Sequence, residues 1–301
     1  MEQKNLHLPS NLPPMKSNYA IEKEFIQNEH LFQDAFFKRF KLRHAATPLQ
    51  LTDAIAKNYQ FPTFYGNVTC EMAIFFCIYE RALAMMPHPT MKPIKGTLGR
   101  ALVAFSCYEY KNVLNIPGYN EIAMTIPVMV DGAFNPPLLP LVMKSFTKAG
   151  YYVFSMPVTS HENQLRGLKI WGLPKVTEEI DVQINDNYCT TIAKDEQGKN
   201  YFELKVPTTG KLQRLDETGY LYSVLEGKRL KSQTNFQGDF FINKHMNLIW
   251  QKNKKSDTIW LKLGDSPRAT ALKLLQIEEA PFQFRFCKSM NSCFDMAMER
   301  V

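Results

Sequence analysis

The chain has 301 residues, of which 45% are hydrophobic, 12% aromatic and 22% charged. That balance excludes a disordered chain, and 14 glycines, 18 prolines and no sustained repeat exclude collagen, coiled-coil and mucin-like architectures. Thirty-six basic residues against 29 acidic ones leave a net charge of +7, a moderate excess. The basic clusters at 38–43, 228–231 and 252–255 are not interleaved with stacking aromatics, so nucleic acid is not an expected partner.

Residues 1–16 are polar and carry three prolines, which predicts an extended arm. In 20–43, Ile21, Phe25, Phe32, Phe36 and Phe40 recur at spacings of four and seven, the period of one helix face. A helix is expected there, its Phe face sealing a subunit contact. Thr47-Pro48 reads as an N-cap followed by a proline at the first helical position, opening a second helix to about Asn58. Strands are expected at 68–79, 100–110, 119–130 and 151–158, with short helices at 80–86 and 136–146. Thr159-Ser-His-Glu162 has the form of a capping box at the head of a helix over 160–168. Further strands are expected at 178–184, 188–193, 201–206, 236–250 and 258–263, and a last helix starts at Ser266-Pro267.

Many short strands with helices as insertions predict an α+β fold, an antiparallel barrel-like sheet with flanking helices. A helical extension over 1–60 would precede a barrel domain over 61–301. There is no βαβ alternation, G-x-G-x-x-G, P-loop or G-x-S-x-G, which argues against dinucleotide, nucleotide and serine-hydrolase chemistry. The six cysteines include no C-x-x-C and the six histidines no H-E-x-x-H, so no metal and no cofactor is expected. The N-terminus lacks a signal-peptide core and the apolar run at 72–79 is too short to span a bilayer, so a cytoplasmic protein without membrane contact is expected.

Two stretches carry more. Gly118-Tyr-Asn-Glu121 precedes Ile-Pro127-Val and Asp131-Gly132, and Gly167-Leu-Lys-Ile-Trp-Gly-Leu-Pro-Lys175 follows about 50 residues later. Together they resemble the acetoacetate decarboxylase superfamily, which places a Tyr-x-Glu strand ahead of a helix leading into a W/S-G/A-x-P-K segment. The resemblance covers roughly 65–300. It implies a barrel, usually oligomeric, whose lysine condenses with a ketone. By position that lysine is Lys175 and the active-site glutamate is Glu121. Arg166, Trp171 and Tyr119 are the candidate substrate-binding residues, Arg166 because a guanidinium pairs bidentately with a carboxylate.

The chemistry explains the residue types. Decarboxylating a β-keto acid leaves a carbanion, and a protonated imine is the electron sink that accepts it. Imine formation needs a neutral amine, whereas a lysine titrating near 10.4 is neutral in only roughly one molecule in 2,500 at pH 7. Desolvation or a neighbouring cation lowers that value, the activation acetoacetate decarboxylase itself uses. Ile170, Trp171, Leu173, Pro174 and Val176 make the flanks of Lys175 apolar. Glu121 would shuttle protons during imine formation or protonate the enamine.

The chain also departs from the pattern. Val176 stands where family decarboxylases commonly carry a second lysine, and Leu168-Lys169 replaces the Arg-Glu of G-R-E. Lys169 reads as a helix-end cation and Glu162 as a capping residue. The expected function is a lysine-imine enzyme acting on a small keto acid or ketone, a decarboxylase-like lyase assembled as a homo-oligomer. The alternatives are a family member running aldol-type or dehydratase chemistry through the same imine, and a non-catalytic barrel holding an apolar ligand.

Overall fold

The computed structural model describes residues 18–132, 134–143 and 145–300; the arm expected over 1–16 lies outside them. Seven long strands close into a barrel: β1 (Thr63–Ile78), β2 (Arg100–Val113), β3 (Tyr119–Val130), β4 (Ala149–Val158), β5 (Lys211–Leu225), β6 (Lys228–Lys244) and β7 (Gln283–Phe294). Around the ring the order is β4-β5-β6-β7-β1-β2-β3, and β3 pairs back onto β4. Neighbours run antiparallel except β4 and β5, whose parallel contact at Leu221–Tyr151 and Tyr222–Tyr152 closes the ring. A closed sheet leaves no unpaired edge along its circumference.

The two faces of the barrel wall are both apolar, which is why β1 reads as a nearly continuous hydrophobic run rather than an alternation. One face, with Phe75, Val103, Phe105, Ile122 and Met124, packs on a smaller four-stranded sheet (Glu179–Ile184, Tyr188–Lys194, Asn200–Pro207 and Leu261–Leu263). Phe105 meets Phe202 across this contact with ring centroids 5.3 Å apart. The other face, with Val68, Cys70, Tyr110 and Ala123, packs on Trp171, Leu173, Tyr59 and Phe61. The described residues form three α-helices: α1 (Tyr79–Ala84), α2 (His161–Trp171) and α3 (Pro267–Lys273).

The helix expected over 20–43 does not form. Two 3-10 turns, Glu29–Leu31 and Phe37–Arg39, interrupt an otherwise irregular segment. Side chains compete for the backbone here. Asp34 accepts the Phe36 N–H at 2.7 Å, and the Asn28 amide donates to the Val113 carbonyl at 2.8 Å while accepting the Asn115 N–H. The phenylalanines do not wait for a second subunit: Phe32, Phe36 and Phe37 are buried against Phe64 and Leu114 of the same chain.

The helix expected from Thr47 is instead a hairpin, Leu49–Thr52 with Ile55–Lys57. The alternation Leu49-Gln50-Leu51-Thr52 has the period of a strand. Among the described residues of 136–146, the helical structure is the single 3-10 turn Leu139–Leu141. Strands β5 and β7 had no sequence expectation; the outer half of β5 is solvent-exposed and weakly patterned.

Candidate active site

The site hangs on one crossover. Strand β4 leads into α2, and the chain returns as the short strand Lys175–Thr177, parallel to the end of β4 with Lys175 opposite Met156. A parallel return needs such a crossover helix. On the other side of β4, Glu121 of β3 lies opposite Val158. Lys175 and Glu121 therefore flank the same strand end.

Ser160 caps α2, its hydroxyl accepting the Asn163 N–H at 3.3 Å. The expected capping box is thus displaced by one residue. Thr159 accepts the Asn120 N–H instead, and Glu162 turns away to a buried ion pair with Lys57 at 3.0 Å. At its far end α2 stops on Gly172, left-handed at φ 58°, a conformation that costs glycine little.

Lys175 is 6% and Glu121 5% exposed. The ammonium donates to Glu121 Oε2 at 2.5 Å, and the Tyr110 hydroxyl donates to Oε1 at 3.0 Å. Tyr119 lies under the pair, its ring centroid 5.5 Å from Lys175 Nζ. Tyr65, Tyr108 and Tyr119 gather around Tyr110 with centroids 4.5, 5.3 and 4.9 Å from it.

Gly167 makes room for the lysine. A methyl group on it would sit 2.7 Å from Lys175 Cγ and Cε and closer still to Cδ. The helix backbone is thus the floor on which the lysine stem lies.

Burial pushes the Lys175 amine below the ordinary lysine range. Glu121 pulls it back up, and the positive charge of Arg166 lowers it further. Burial likewise pushes the Tyr65 hydroxyl up to about 12 and those of Tyr108, Tyr110 and Tyr119 well above their usual value. These tyrosines are donors, not bases, at neutral pH.

Arg166 is 2% exposed. It donates to Asn163 Oδ1 at 3.0 Å and Thr63 Oγ1 at 2.9 Å, and its guanidinium lies over the Tyr59 ring at 4.3 Å. Trp171 is packed differently. Its indole N–H donates to the Asp295 carbonyl at 2.7 Å, and its ring sits between Phe61 and Phe294. It anchors the end of α2. Lys169 donates to the backbone carbonyl of Gln50 at 2.5 Å, tying α2 to the hairpin.

Of the residues singled out in the sequence, Lys175, Glu121 and Tyr119 come together, and Arg166 is close enough for its charge to act on the amine. Sequence reasoning missed Tyr65, Tyr110 and the Lys57–Tyr59–Glu162 group. Tyr108-x-Tyr110 and Tyr119-x-Glu121 on paired strands carry a period-two signal that would have placed all four side chains on one face.

The family model for acetoacetate decarboxylase (ADC) matches residues 46–236. Among solved structures, the acetoacetate decarboxylase of Legionella pneumophila subsp. pneumophila str. Philadelphia 1 superposes with a TM-score of 0.55 at 14% identity, covering 80% of this chain and 87% of that one. A structure of the enduracididine biosynthesis enzyme MppR complexed with pyruvate superposes with a TM-score of 0.52 at 10% identity, covering 79% and 90%. No curated protein matches the sequence. The superpositions give the fold, the family match spans the hairpin, the tyrosine-lined strands, α2 and the lysine segment, and on these grounds the chain belongs to the acetoacetate decarboxylase family.

Proposed function

We propose that this protein is a Schiff-base enzyme whose Lys175 condenses with the carbonyl of a small keto acid. The single observation that carries the reading is the buried Lys175–Glu121 contact at 2.5 Å, held in an apolar wall beside a second cation. Burial and Arg166 favour the neutral amine that attack requires. Glu121 lies where it can take the ammonium proton and return it to the hydroxyl that leaves the carbinolamine as water. Tyr110, donating to the other Glu121 oxygen, fixes the carboxylate for both transfers. In the protonated imine, the carbon–carbon bond to a β-carboxylate breaks with its electron pair drawn into the imine. Carbon dioxide leaves, and protonation of the enamine carbon followed by hydrolysis frees the ketone and the lysine.

The same imine serves aldol-type condensation, and Val176 in place of the family's second lysine makes decarboxylation the finer part of the proposal. A barrel that merely holds an apolar ligand fits less well, because such a site has no use for cations at Lys57, Arg166 and Lys175 buried around one helix. The test is carbon dioxide release from short 3-oxo acids. Wild type is expected to exceed the spontaneous rate and Lys175→Ala to fall to it. Wild type at the spontaneous rate with every 3-oxo acid would overturn the decarboxylase assignment.

A further inference from the structure

Five acidic and basic side chains are buried together on or against α2: Lys57, Glu121, Glu162, Arg166 and Lys175. Four of them pair off, Lys57 with Glu162 and Lys175 with Glu121. Arg166 makes no ion pair among the described residues. Its two terminal nitrogens donate to neutral oxygens of Asn163 and Thr63, and its Nε has no partner.

Glu162, one helical turn away on α2, does not neutralise it. That carboxylate accepts from Lys57 Nζ on both oxygens, at 3.0 and 3.2 Å, and from the Tyr59 hydroxyl at 2.6 Å. Lys57 and Tyr59 thus hold Glu162 and leave the guanidinium free. The Tyr59 ring also lies against the Arg166 guanidinium at 4.3 Å, a cation–π contact. With Lys175 positively charged, as ammonium or as protonated imine, the cluster carries one excess positive charge in a place closed to solvent. An unpaired buried charge and an orphaned buried donor are both costly, and one monoanion would satisfy both.

We propose that Arg166 is the carboxylate-recognising residue of this site, its free Nε–H donating to the substrate's carboxylate, so that the enzyme selects keto acids over neutral ketones. The inference rests on the imine reading of Lys175 for the carbonyl end of the substrate, but the carboxylate end can be tested without it.

Two measurements separate the two ideas. First, calorimetry with the monocarboxylates from acetate to hexanoate, which have no carbonyl to condense, reports on the carboxylate end apart from imine formation. Wild type is expected to bind at least one of them, and Arg166→Gln at least tenfold more weakly, with Arg166→Lys between. No binding by wild type, or equal binding by a folded Arg166→Gln variant, would overturn the proposal. Second, borohydride trapping compares 4-oxopentanoate with its methyl ester. Wild type is expected to label at least tenfold faster with the acid, and Arg166→Gln to lose that preference while still labelling with the ester. A preference retained in Arg166→Gln contradicts the role of Arg166. Failure of every carbonyl to label, with the carboxylates still bound, contradicts the imine alone.

Discussion

Three effects set the protonation of the nucleophile. Burial removes water from the Lys175 amine, Arg166 repels the ammonium form, and Glu121 opposes both. Each is separately testable through the pH dependence of borohydride labelling, which follows the neutral amine and therefore rises with pH. The labelling midpoint is expected below about 10.4, the ordinary lysine value. Arg166→Gln removes a cation that disfavours the charged form, so its midpoint moves up. Glu121→Gln removes the anion that favours it, so its midpoint moves down, while the maximal rate falls because the proton shuttle is gone. A midpoint that moves the opposite way in either variant would mean that the charges around the amine are misassigned.

At the scale of elements, α2 matters less as a wall than as a template. Gly167 lets its backbone approach the lysine stem, Ser160 and Gly172 fix its ends, and Trp171 ties it to Asp295. Alanine is favoured over glycine in helix interiors by about 1 kcal/mol, so Gly167→Ala is not expected to unfold α2. Its methyl group would instead displace the lysine stem, and labelling is expected to slow by at least tenfold at unchanged melting temperature. Unchanged labelling would show that the lysine reaches its carbonyl by another route.

The elements that position the site were also the legible ones. Strands over 119–130 and 151–158 and the turn-bounded lysine segment show in periodicity and capping residues. The N-terminal segment misled because Phe25, Phe32, Phe36 and Phe40 do fall on a helical period, yet Asp34 and Asn28 capture the backbone, Phe32, Phe36 and Phe40 pack with Phe64, and Phe25 packs on Tyr59. Glu162 satisfied a capping pattern by spacing alone. Its true partner, Lys57, is 105 residues away in sequence and invisible to any local rule.

Over the whole molecule, another buried carboxylate sits on the face of the barrel wall opposite to Glu121. Glu71 of β1 is fully buried between the barrel and the four-stranded sheet, and neither of its oxygens makes a well-formed hydrogen bond among the described residues. Burial pushes its carboxyl up to about 7, an effect that the nearby Thr191 hydroxyl and the Cys189 and Cys107 thiols only partly offset. The folded-state value is raised, so between about 4.5 and about 7 the native state holds a proton that the unfolded chain has lost. Stability therefore falls as pH rises through that window and stays lower above it, by about 3 kcal/mol for this one group. Glu178, also pushed up to about 7 by burial despite Arg268, adds to the same slope. Urea denaturation at pH 5 and pH 8 is expected to show the loss, and Glu71→Gln to recover a large part of it at pH 8. A variant no more stable than wild type at pH 8 would mean that Glu71 is ionised at no cost.

One measurement addresses directly whether the buried Lys175 amine condenses with a carbonyl. The protein is incubated with acetoacetate and with longer keto acids and ketones, reduced with borohydride, digested and weighed by mass spectrometry. A stable adduct is expected on the peptide containing Lys175, and none in Lys175→Ala. A folded protein that carries no adduct at Lys175 with any of these carbonyls would contradict that condensation.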